Sequence, residues 1–284
     1  MRTVLSIFGI LVCLLLGSCA TEHSIHRRLP AEVTINKGAG RGNWLLLMLR
    51  LKDGDAMPFV IDTGTANTFL NKSLEPKLGK RRGTTVFPHW GVKHEAGAYT
   101  APEFYLGDTP LKQAGRFVFT ADWLPKARSG PPTMGVLGMD CLKHYCIQLD
   151  FDAGKMVFLD PDQVDAATLG KAFPLIFMRN RPFIHHPGLL GGTITNLLID
   201  SGFDGDGGLA SGAFREFLDQ KESGAVKGVK DLGSGWMFVP EVVWDGATYT
   251  KLTVGEGGNL IGLRFLARHL VTLNFPKRTM YLKH

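Results

Sequence analysis

Apolar positions along the chain fall in short runs, each cut by a cluster of Gly, Asp, Asn, Pro or Lys. That spacing predicts strands joined by tight turns rather than long helices. Trp44 to Leu51 is one such run, ended by Lys52-Asp53-Gly54-Asp55, and Phe59 to Ile61 is a second, stopping at Asp62. Phe104-Tyr105-Leu106 leads into the turn Gly107-Asp108. Ile147 to Phe151 and Met156 to Leu159 flank Asp152-Ala153-Gly154-Lys155, a hairpin signature. Val271 to Phe275 and Met280 to Leu282 flank Pro276-Lys277-Arg278 in the same way. Helical stretches are few: Asp140 to Tyr145, Ala213 to Lys221 and Arg264 to His269. The predicted class is all-β with short helices.

The pattern occurs twice. Pro58 to Gly64 (PFVIDTG) matches Asn196 to Gly202 (NLLIDSG), an offset of 200 − 62 = 138. GAYTAPEF from Gly97 matches GWMFVPEV from Gly235, where the two prolines give 240 − 102 = 138 again. GMDCL from Gly138 through Phe151 matches GLRFL from Gly262 through Phe275, with 262 − 138 = 124. Three blocks in one order indicate a duplication, the second copy being 138 − 124 = 14 residues shorter between its second and third blocks. The copies are placed at 31–160 and 173–284, joined by a polar linker at 161–172.

Composition agrees. With 35 Gly and 15 Pro in 284 residues, the chain suits a turn-rich β protein better than a helical bundle. At 44% apolar and 20% charged it can bury a core, which excludes a disordered chain. The net charge is 32 − 26 = +6. The densest basic stretch, Lys77, Lys80, Arg81 and Arg82, has no interleaved aromatics, so it reads as a solvated loop rather than a nucleic-acid surface.

Residues 1–19 read as a targeting segment. Arg2 precedes the apolar run Val4 to Leu16, too short to span a bilayer comfortably and suited to a signal sequence. It ends Leu16-Gly17-Ser18-Cys19, which resembles the bacterial lipobox. The resemblance implies a lipoprotein signal peptide, acylation of Cys19, a tether at 20–30 and attachment to a membrane. Ala20 after the Cys implies, by similarity to lipoprotein sorting, the periplasmic face of the outer membrane. An ordinary secretory signal with a chance Cys is the alternative. Cys141 and Cys146 lack the spacing of a zinc site and read as two small core residues, reduced or oxidised.

The chemistry lies in the repeated block. Given 17 Asp, 29 Ser plus Thr and 35 Gly, chance yields roughly 0.2 Asp-[Ser/Thr]-Gly triplets, yet two stand at equivalent points of a duplication, each after an apolar strand. Two carboxylates held close cannot both ionise comfortably and share one proton; the ionised one can activate water while the other polarises a carbonyl. Val60-Ile61-Asp62-Thr63-Gly64-Thr65 and Leu198-Ile199-Asp200-Ser201-Gly202 resemble the active-site loops of aspartic peptidases of the pepsin/retropepsin type. Val136-Leu137-Gly138 and Leu260-Ile261-Gly262 are similar to the segment that crosses behind each loop in that family. The resemblance covers nearly all of residues 40–284. It implies two similar β-barrel lobes with a cleft between them, Asp62 and Asp200 as the catalytic pair, and Thr63 and Ser201 bonded across to the opposite loop. It implies a peptide or protein substrate, a monomer, and no metal or organic cofactor. Gly64 and Gly202 allow close backbone approach.

Several positions leave room for other readings. Thr65 has a hydroxyl to offer Asp62, whereas Phe203 at the equivalent place has none for Asp200. The acidic Gly-rich run Asp204 to Gly208 fits neither an EF-hand nor a phosphate loop and reads as an enlarged turn. Tyr99, 37 residues after Asp62, is either an aromatic of the family's flap or a tyrosine packed in the sheet. His185-His186 aligns with Leu47-Met48 and reads as strand. A non-catalytic peptide-binding lipoprotein derived from the same fold is the rival to a peptidase. A purely structural envelope lipoprotein would leave the two triplets unexplained.

Overall fold

The computed structural model describes Leu29 and residues 32–89, 92–112, 114–126, 131–222 and 228–284. The signal segment, Cys19 and the tether apart from Leu29 lie outside the described residues; Leu29 packs against the core. The fold is mostly β, in three multi-stranded sheets.

The duplication reappears as topology. One sheet runs Arg81–His89, Val92–Thr100, Phe117–Ala121, Phe69–Asn71, Gly135–Leu137, Met57–Ile61 and Leu46–Leu51, then adds Phe104–Leu106 and Thr109–Pro110. The other runs Lys230–Gly233, Trp236–Trp244, Ala247–Glu256, Gly207–Leu209, Leu260–Gly262, Gly191–Asp200 and Arg181–Gly188, then adds Ile176–Met178. In each sheet a short Gly-containing strand lies between the strand that ends at the Asp and the strand that follows it. Gly135–Leu137 runs parallel to Met57–Ile61 and antiparallel to Phe69–Asn71. Leu260–Gly262 does the same between Gly191–Asp200 and Gly207–Leu209.

The third sheet joins the copies. Glu32–Thr34, Lys155–Leu159 and Cys146–Asp150 come from the first, and Leu270–Asn274, Thr279–Lys283 and Lys171–Pro174 from the second. Cys146–Asp150 pairs antiparallel with Leu270–Asn274 at the centre. The core is therefore continuous between the copies, with Ile147, Leu149, Val271 and Leu273 fully buried. Lys171 and Ala172, expected in the linker, are strand residues, because Phe173 beside them is buried and paired with Met280.

The expected helices exist in shifted form: Met139–Leu142, Ser211–Glu222 and Leu263–Leu266. The basic stretch is not a loop. Lys77 ends the 3-10 helix Lys72–Lys77, and Arg81 and Arg82 open a long hairpin. Cys141 and Cys146 are buried free thiols. His185 is a strand residue, but it pairs with Asn196 where Met48 pairs with Pro58, one place from the expected alignment.

Candidate active site

Asp62 and Asp200 each stand at the end of an apolar strand, where the chain turns sharply. The turns are tied together by four hydrogen bonds with near-twofold symmetry. The Thr63 amide donates to Ser201 Oγ and the Ser201 amide to Thr63 Oγ1, both at 3.0 Å. The Thr63 hydroxyl donates to Ile199 O at 2.6 Å and the Ser201 hydroxyl to Ile61 O at 2.7 Å. Both hydroxyl residues are buried. This exchange fixes the distance between loops that the sequence separates by 138 residues.

The glycines explain how close the loops come. A Cβ on Gly64 would lie 2.2 Å from Asp200 Cγ, and one on Gly202 would lie 2.3 Å from Asp62 Cγ. Each carboxyl thus sits against the opposite glycine, and the two carboxyl groups are hydrogen-bonded to each other. Gly138 and Gly262 are required for a similar reason. A Cβ there would meet Asn67 O at 2.4 Å or Gly205 O at 2.3 Å, the loops that cross over each strand end. The helices behind are anchored alike: the Met139 amide donates to Thr65 O and the Leu263 amide to Phe203 O, both at 2.9 Å.

The carboxyls are not equivalent. Asp62 Oδ1 accepts two amides, Gly64 at 2.7 Å and Thr65 at 3.1 Å. Asp200 Oδ1 accepts one, from Gly202 at 2.9 Å. Desolvation pushes both above the ordinary carboxylate range, and the amides pull Asp62 back. Asp200 is driven well above it, first by desolvation and then by the charge of Asp62 beside it. The pair therefore holds its proton on Asp200 and its negative charge on Asp62. The expected source of that asymmetry is corrected in part. The Thr65 hydroxyl faces Asn67 O at 3.4 Å, so the backbone amide of Thr65, not its side chain, supports Asp62. Phe203 behaves as its apolar character suggests: it is buried and stacks on Trp236 with ring centroids 5.2 Å apart.

Tyr99 does not occupy a flap tip. The hairpin Arg81–His89/Val92–Thr100 is present, but its turn joins His89 to Val92 whereas Tyr99 pairs with Arg81 at the root. It is buried in the core, with Glu75 as its side-chain partner. The unusual run after Asp200 is structural rather than ligand-seeking at Asp206. This carboxylate is fully buried, accepting Arg268 Nε at 2.7 Å and the Thr253 amide at 2.7 Å. Its counterpart 138 residues earlier, Thr68, bonds Asp140 through its amide at 3.0 Å and its hydroxyl at 2.7 Å. Both copies thus clamp the loop onto the following helix, with the acidic partner on the helix in one and on the loop in the other. Sequence reasoning missed this pair, although the 138 offset could have found it.

The face that carries Asp62 continues as apolar surface. Alternation puts Val60 and Pro58 on the same face as Asp62, and Leu46 pairs with Val60 on the neighbouring strand. Farther along, Trp44, Leu46, Met48, Pro58 and Ile35 help line a hollow of about 390 Å³. Among the described residues no group of three or more His, Cys, Asp or Glu is arranged to hold a metal ion. No protein-family model matches the chain, and no curated protein matches it significantly.

Proposed function

We propose that the chain is an aspartic endopeptidase of the pepsin/retropepsin type, anchored through lipidated Cys19 at the periplasmic face of a bacterial outer membrane. In this reading the two sheets that carry Asp62 and Asp200 are the two lobes, and a peptide lies between them. The observation that carries it is the hydrogen-bonded carboxyl pair on two loops locked by the Thr63–Ser201 exchange. A pair poised with one proton has what peptide hydrolysis needs. Asp62 takes a proton from water, whose oxygen attacks the carbonyl carbon, while Asp200 gives its proton to the carbonyl oxygen. As the tetrahedral intermediate collapses, Asp62 passes its proton to the leaving nitrogen and Asp200 recovers one from the diol. The C–N bond breaks and the starting protonation returns.

The rival, a non-catalytic peptide binder, draws on Phe203 and the altered loop beside it. Against it, Asp200 keeps its amide from Gly202 and its bond to Asp62 despite Phe203. The deciding experiment is digestion of an unbiased peptide library by the wild type, Asp62→Asn and Asp200→Asn, with thermal melting of each. The expected result is cleavage by the wild type alone and three folded proteins. Wild-type cleavage by either folded variant, or none by the wild type at any pH, sinks the proposal.

A further inference from the structure

The dyad has one neighbour that breaks its twofold symmetry. In the first copy Leu46 pairs with Val60, so the register carried two residues further sets Trp44 across from Asp62. In the second copy Phe183 pairs with Leu198, and the same step sets Arg181 across from Asp200. Alternation puts Arg181 and Asp200 on one face of the sheet. A tryptophan on one side of the pair thus answers to a cation on the other.

Arg181 is held in place from two directions. It pairs with Met178 across the turn Arg179-Asn180, whose φ values of 49° and 61° are those of a tight two-residue hairpin. Asn180 Nδ2 donates to Ala66 O at 3.1 Å, tying this turn to the loop that follows Asp62. The guanidinium lies 5.7 Å from the centre of the Phe183 ring. Among the described residues nothing accepts a hydrogen bond from it and no carboxylate forms an ion pair with it. Its charge reaches both dyad carboxyls and draws each toward the ionised form, against the burial that opposes it.

A guanidinium carries five N–H donors in a planar fork that matches a carboxylate. Here the fork is partly buried beside the reacting groups and unused by the described protein. The dyad cannot be its partner in full, since one carboxyl is protonated and the other accepts two amides. We propose that Arg181 binds a carboxylate of the peptide next to the scissile bond, on the Asp200 side. The carboxylate is either an acidic side chain or the free C-terminus. This deepens the peptidase reading and rests on it. The hairpin turn that carries Arg181 would then be the element that selects substrate.

The test uses labelled hexapeptide libraries in which one position at a time is Glu or Gln, each with a free or an amidated C-terminus. Binding is read by fluorescence anisotropy on the full chain carrying Asp62→Asn, with and without Arg181→Met or Arg181→Gln. Cleavage is read on the wild type. The carboxylate-bearing peptides are expected to bind about 10- to 100-fold tighter, the range for a hydrogen-bonded charge pair, and the ratio is expected to fall below about twofold in both Arg181 variants. A ratio that follows one Glu position identifies an acidic side chain; one that follows the free terminus identifies the terminal carboxylate. No preference in any arm, or a preference that survives both substitutions in proteins that melt cooperatively, overturns the assignment. Arg181-dependent binding without wild-type cleavage would leave the carboxylate site standing and remove the peptidase reading. Cleavage without Arg181-dependent preference would do the reverse.

Discussion

Thr63 and Ser201 each accept the other's backbone N–H at 3.0 Å and each donate a hydroxyl proton to the strand preceding the other. The arrangement is both a structural lock and the reason the carboxyls meet. Thr63→Val keeps the shape but leaves the Ser201 amide and the Ile199 carbonyl without partners in a fully buried setting. Each such group costs about 1–3 kcal/mol. Urea unfolding is expected to show a loss of about 2–4 kcal/mol for Thr63→Val and under about 1 kcal/mol for Thr63→Ser, which keeps the hydroxyl. Equal losses in both variants would mean that packing, not the exchange, holds the loops.

Because the Thr65 hydroxyl turns to Asn67, its removal leaves both amides on Asp62. The acid limb of kcat/KM in Thr65→Ala is expected within about 0.3 pH unit of the wild type. A hydroxyl bonded to the ionised carboxyl would instead move the limb upward by about one unit when deleted. A shift of that size would restore the side chain as the support.

Arg268 covers the fully buried Asp206 carboxylate. Arg268→Met strands that charge and is expected to cost about 3–5 kcal/mol in chemical denaturation. Asp206→Asn combined with Arg268→Met removes the charge as well and is expected to regain most of the loss. If the double variant is no better than the single, the ion pair is not what the site depends on.

His269 is buried, its Nδ1 bonded to Phe265 O at 3.0 Å and its Nε2 to the Tyr249 hydroxyl at 3.0 Å. Burial lowers its pKa from 6.5 to about 4. Between those values the unfolded chain binds a proton that the folded chain refuses, so His269 makes stability fall as pH drops from about 6.5 toward 4. The full effect is on the order of 3 kcal/mol. Asp62 and Asp200 act in the opposite sense, since carboxyls raised by burial are stabilised by protonation. The readout is therefore a difference: melting temperature against pH for wild type and His269→Asn. The wild type is expected to lose more between pH 6.5 and 4; parallel curves would discount His269.

The strands that meet at Asp62 and Asp200 were legible because short apolar runs ending in Asp-Thr-Gly and Asp-Ser-Gly obey local rules of strand and turn. The repeat offset then showed that the two are equivalents. The flap role of Tyr99 was not legible in the same way. A tyrosine on a hairpin can face the core or the turn, and its side-chain direction depends on the register with Arg81, which the spacing from Asp62 does not contain. The Thr65 hydroxyl failed as an expectation for a similar reason: residue type says that a donor exists, not where its rotamer points.

The sequence by itself determined the β class, the duplication, the two Asp loops and the glycines that let them turn, because each depends on the chain's nearest neighbours or on its likeness to itself. Only the tertiary structure decided that the carboxyls touch, that Asp62 receives two amides and Asp200 one, that Asp206 is neutralised by Arg268, and that Arg181 stands beside the dyad. Those four facts are matters of distance between residues far apart in sequence. Electrostatic energies fall with separation and rise with desolvation, and both quantities are set by how the sheets pack.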